Sequence, residues 1–102
     1  MIYIFITCPS KKEAREILEK LLNERLIACG SIFPEVESHY IWNGKIESSL
    51  EAKMILKTTQ ELFNKIEKLV ELHCSYKICE IAAVDTLLVS KEYKNWMEQV
   101  LL

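Results

Sequence analysis

The sequence predicts one small α+β domain over residues 1–102, an antiparallel sheet with helices on one face. Three observations predict it. Extended, β-prone stretches alternate with three stripes of apolar residues at helical spacing. The dipeptide Asn43-Gly44 joins two long extended stretches into a hairpin, because a type I′ turn needs positive φ at both central positions. Finally, 102 residues that are 50% apolar and 27% charged suit a single hydrophobic core, and two Gly and two Pro leave no flexible linker.

The elements follow in order. Residues 2–7 form an uninterrupted β-prone run, the pattern of a central strand, which stops at Pro9-Ser10. Ser10 with Glu13 reads as a capping box, with Ser10 accepting from the Glu13 amide and Glu13 reaching back. Ala14, Ile17, Leu18, Leu21 and Leu22 then mark one face of a helix running to about Glu24. A second strand spans 26–33, meets Pro34, and resumes over 36–42. After the turn, 45–57 alternates: Ile46, Leu50, Ala52, Met54 and Leu56 face one way, and Glu47, Glu51, Lys53 and Lys57 the other. Thr58 and Glu61 are expected to open a second helix, with Leu62, Phe63, Ile66, Leu69 and Val70 as its stripe. A last strand is expected over 78–84. Ser90 caps a terminal helix carrying Tyr93, Trp96, Met97, Val100 and Leu101. The order β-α-β-β-α-β plus a terminal helix is the split βαβ, or ferredoxin-like, arrangement with a long hairpin.

That hairpin implies partners. At about 3.3 Å per residue, the strand 45–57 is roughly 43 Å long, while a body of this size is little more than ~30 Å across. Helices of about fifteen residues reach only ~22 Å. The tip, with Tyr40, Ile41, Trp42 and Ile46, is therefore expected to project beyond the monomer's core and to be covered by other subunits. Pro34 fits a bulge or an edge position in such a strand, or a break that folds the pieces back.

The residues also carry a specific likeness. Arg25-Leu26-Ile27-Ala28-Cys29, then Ile32-Phe33-Pro34, then Ser38-His39-Tyr40-Ile41-Trp42-Asn43-Gly44-Lys45-Ile46-Glu47, then Glu51 and Ile55-Leu56-Lys57-Thr58 occur in order. Tyr76, Glu80-Ile81 and the pair Tyr93 and Trp96 extend the series to the tail. The whole chain resembles the CutA divalent-cation-tolerance family. The resemblance implies a ferredoxin-like fold, a homotrimer, and a link to copper and other divalent ions. It also implies a fold similar to that of the PII signalling proteins, with ligand sites at subunit clefts. The sequence departs from the family pattern where His-Pro-Tyr is usual, reading Cys74-Ser75-Tyr76, and has Cys79 where Pro precedes the Glu and Ser31 where Asn is common.

Charge and composition narrow the function. A net charge of −2 with mixed signs speaks against a nucleic-acid partner. No apolar run approaches the ~20 residues of a membrane span, and no secretory leader opens the chain, so a cytoplasmic location is expected. Four cysteines there read as thiols rather than disulfides. Cys29 matches the family's cysteine; His73 and Cys74 lie together, with Cys74 in the place of the usual imidazole. These three are the candidate metal ligands, since thiolate and imidazole suit Cu(I) and Zn(II); core packing is the alternative reading of each. Cys8, before the first helix, reads as packing or as a thiol activated by the helix dipole, and is expected to stand apart from the metal ligands. Glu47, Glu51 and Glu80 read as carboxylate ligands, salt-bridge partners or a solvated face. Tyr40, Trp42 and Trp96 read as core or interface aromatics. No catalytic pairing is evident, so the chain is read as a non-enzyme, a trimeric metal-response protein. A PII-like small-ligand sensor, relying on Lys45 or Lys57 in the absence of a glycine-rich cradle, is the alternative.

Overall fold

The computed structural model describes residues 1–102 as a four-stranded antiparallel sheet with three helices. The strands are β1 (Ile2–Cys8), β2 (Cys29–Trp42), β3 (Lys45–Thr58) and β4 (Ile81–Asp85), in spatial order β2-β3-β1-β4. The helices are α1 (Lys11–Asn23), α2 (Phe63–His73) and α3 (Lys91–Val100). This is the split βαβ topology the sequence predicts.

Strand register sets the two faces. Ile2, Ile4, Ile6 and Cys8 of β1 pair with Thr58, Leu56, Met54 and Ala52 of β3, and all eight side chains are buried. α1 and α2 close over them with Ala14, Ile17, Leu21, Ile66 and Val70, forming one core. Gly30 permits the close approach of α1 to β2, since a Cβ there would lie 2.1 Å from Leu18 Cδ1. The other face carries Tyr3, Phe5, Ile55 and Lys57. α3 reaches that face, with the Lys57 ammonium 5.5 Å from the Tyr93 ring centroid.

Ser10 caps α1 by accepting from the Glu13 amide at 3.2 Å, but the Glu13 carboxylate accepts from the Ser75 amide instead of reaching back. Only half of the predicted capping box forms. The helix ends in a Schellman motif: Arg25 adopts φ 56°, its amide donates to Leu22 O, and the Leu26 amide donates to Leu21 O. Ser90 caps α3 as predicted, accepting from the Tyr93 amide.

Thr58 does not cap α2. It ends β3 fully buried, its hydroxyl donating to the Leu26 carbonyl at 2.6 Å, and a 3-10 turn over Gln60–Leu62 leads into the helix. The last strand begins at Ile81 rather than at 78, and Ile78 is 73% exposed.

The hairpin projects. Asn43 and Gly44 both have positive φ, as the turn requires. β2 does not break at Pro34; it runs on through a bulge between Phe33 and Val36. Beyond the bulge the arm outruns both helices, so Leu50 is 67% and Ile46 84% exposed although they continue the buried face of β3. The molecule is accordingly elongated, 45 × 26 × 22 Å. No helix is long and apolar enough to cross a membrane.

Candidate functional site

Side chains capable of chemistry gather where β1 ends, α1 begins and the loop from α2 to β4 passes. Cys8 is the last residue of β1 and faces the core, completely buried. Cys74 terminates α2, its amide donating to the Val70 carbonyl at 2.8 Å, which brings it to the same corner. The Cys8 and Cys74 sulfurs and a Glu13 carboxylate oxygen all lie within 4.8 Å of one another. Glu13 is held there by the Ser75 amide at 3.2 Å. Cys79 adjoins the group: its thiol interacts with Cys74 and donates to the Thr7 carbonyl at 3.5 Å.

The surroundings of Cys8 and Cys79 suppress their thiolates. Burial pushes the Cys8 thiol up to about 12, and the charges of Cys74, Glu13 and Glu51 act in the same direction. Burial and the bond with Cys74 likewise raise Cys79. Of the two readings of Cys8, packing holds rather than activation by the helix dipole: the N-terminus of α1 is outweighed by desolvation and acidic neighbours. Cys74 and Cys79 are partly exposed, so the group opens to solvent on one side.

The polar residues alongside are engaged with one another. Glu80 accepts from Thr7 Oγ1 at 2.5 Å and from Lys53 Nζ at 3.1 Å. Burial pushes its carboxyl up, but those two bonds outweigh it and hold it below the usual carboxylate range. Tyr76 donates to Glu51, and burial together with that bond raises the phenol. Of the three carboxylates considered from sequence, Glu51 and Glu80 thus brace the loop within the chain, and Glu47 lies exposed on the arm.

The three residues singled out as metal ligands do not meet within one chain. Cys29 pairs with Lys57, which pairs with Tyr3, so it lies on the sheet face opposite Cys8. It is also about 17 Å away along β3 from Ala52, the partner of Cys8, at ~3.3 Å per residue. His73 lines a groove with Glu24, Leu26, Lys65 and Leu72, away from Cys74. Of the set, only Cys74 belongs to the thiol group. Sequence reasoning missed Cys8 as its neighbour, because only the strand pairing brings the two segments together. β1 and β4 pair antiparallel with Ile6 opposite Ile81, and the same register extended two residues sets Cys8 opposite Cys79.

An elongated ferredoxin-like domain with a bulged hairpin arm defines the α+β class of the molecule, and soft donors gather at the end of β1. The family profile described as CutA1 divalent ion tolerance protein matches residues 2–100. The divalent-cation tolerance protein CutA of Archaeoglobus fulgidus is 38% identical over 97 residues, covering 95% of this chain and 94% of that protein. Mouse protein CutA is 34% identical over 96 residues, and there the chain spans 54% of the relative's length. Among solved structures, the Thermus thermophilus CutA1 superposes with a TM-score of 0.95 at 33% identity, covering 99% of each chain. The A. fulgidus CutA, described as periplasmic, gives a TM-score of 0.94 at 37% identity over 98% of each chain. The chain belongs to the CutA1 divalent ion tolerance family.

Proposed function

We propose that the chain acts as a non-catalytic, cytoplasmic homotrimer in the response to divalent metal ions, with copper among the ions it handles. The observation that carries the reading is the arm, where Ile41, Trp42, Ile46 and Leu50 are exposed beyond any helix of their own chain. Apolar strand surface of this length calls for cover, and further copies supply it. Three copies are what the family resemblance implies. The four free thiols suit a reducing compartment. Glu51 and Glu80, beside the thiol group, are spent on bracing the loop, which favours binding over proton-transfer chemistry.

Light scattering after size exclusion at micromolar concentration should give about three times 11.9 kDa; a clean monomer peak removes the assembly. The metal role is read separately, by growth of cells lacking the gene in graded copper, zinc and cobalt salts. Restored tolerance on re-expression supports it, and identical growth with and without the gene refutes it. Fractionation of those cells tests the compartment.

A further inference from the structure

Cys8 from the end of β1 and Cys74 from the end of α2 bring their sulfurs within 4.8 Å of each other and of a Glu13 oxygen, and Cys79, on the approach to β4, adjoins them with its thiol donating to the Thr7 carbonyl at 3.5 Å. We propose that Cys8, Cys74 and Cys79 form a Cu(I) site within each chain, with the Glu13 carboxylate beside it. The inference rests on the metal-response reading and deepens it by giving the copper's oxidation state and its ligands.

The geometry suits a soft ion. Bonds of about 2.3 Å to sulfur let one ion span donors up to ~4.6 Å apart, so the 4.8 Å limit on the Cys8, Cys74 and Glu13 donors needs only a small adjustment. Sulfur donors select Cu(I), which two or three thiolates satisfy without a fourth ligand. The nearby carboxylates point the same way, since Glu13 lies within 4.8 Å of both sulfurs and Glu51 is close enough to act on Cys8, and both attract a cation. Cys8 is locked in the core while Cys74 and Cys79 are partly exposed, giving a fixed floor and an open side for entry. The half-formed capping box acquires a reason as well, because the Ser75 amide holds Glu13 over the thiols. On binding, each ligating thiol releases its proton to solvent and the copper keeps its oxidation state.

The test is anaerobic Cu(I) competition against a chromophoric chelator, using the whole chain. One Cu(I) per chain should be retained, with at least a tenfold loss of affinity in Cys74→Ser and in Cys79→Ser. Both residues are partly exposed, so those variants should keep the fold, which circular dichroism checks. Cys29→Ser, on the opposite sheet face, should bind as the parent does. Equal affinities across the variants, or a loss as large in Cys29→Ser, overturn the site. Elemental analysis after exposure to equimolar Cu(I) and Zn(II) should find copper; a preference for zinc overturns the assignment of the ion. These readouts are independent of growth and of assembly, so the site and the tolerance function fail separately.

Discussion

Thr58 shows how one hydroxyl is diverted from a local role to a global one. It is the single buried polar side chain in the molecule, and its bond to the Leu26 carbonyl ties the end of β3 to the segment leading into β2. Thr58→Val keeps the shape and removes the donor, leaving a buried carbonyl unpaired. Such a loss costs about 1–3 kcal/mol, read as a lower midpoint in urea with an unchanged slope. Lys57, the preceding residue, carries a pH dependence. Its bond with Tyr93 raises its pKa, desolvation lowers it by less, and Cys29, Tyr93 and Tyr3 add to the rise. A raised folded pKa means stability that is present below the unfolded value of about 10.4 and lost as pH rises through the folded one. Lys57→Gln should therefore melt lower than the parent at pH 8, and the gap should close well above pH 10.5. A gap that stays constant to the highest pH would assign the loss to packing of the lysine stem instead.

At the scale of elements, periodicity marked what local patterning controls. The helices α1 and α3, the caps at Ser10 and Ser90, the Asn43-Gly44 turn and the alternation of β3 are each dictated within a few residues, and each is seen, though Leu22 and Trp96 of the expected stripes are exposed. What escaped was decided by distant partners. Thr58 and Glu61 have the letters of a capping box, but the tertiary bond to Leu26 outbid it. Pro34 permits either a break or a bulge, and only pairing with β3 selects the bulge. The thiol corner was half legible: Cys74 stood out locally, whereas Cys8 is 66 positions away in sequence and meets it only through the fold. The bulge also reassigns the arm's faces, since one extra residue flips every later side chain. Tyr40 and Trp42 thereby join Ser49, Glu47 and Lys45 on one face, while Ile41 joins Ile46 and Leu50 on the other. If subunits pack along the arm, the double variant Trp42→Ala with Tyr40→Ala should shift the population toward smaller species on dilution. Truncating buried interface aromatics costs about 2 kcal/mol or more each. An unaltered sedimentation profile would leave these rings as surface decoration.

At the scale of the whole molecule, a 45 Å body with an exposed apolar arm makes the proposed assembly testable through stability, because association would link folding to concentration. For a trimer that unfolds as it dissociates, mass action adds 2RT ln of the concentration ratio per trimer. A hundredfold increase in concentration is then worth about 1.8 kcal/mol per chain; a dimer gains about 1.4 and a monomer nothing. With roughly 2.1 cal/mol/K of unfolding entropy per residue, the trimer's Tm should rise by about 8 °C over that range and a dimer's by about 6 °C. Melting curves at several concentrations, fitted together with the masses from light scattering, give both the slope and the stoichiometry. The Trp42→Ala and Tyr40→Ala double variant should melt lower at every concentration and keep the slope for as long as it still assembles. A Tm that does not move over a hundredfold dilution, with a mass of one chain, would mean that the arm is covered by something other than copies of this chain.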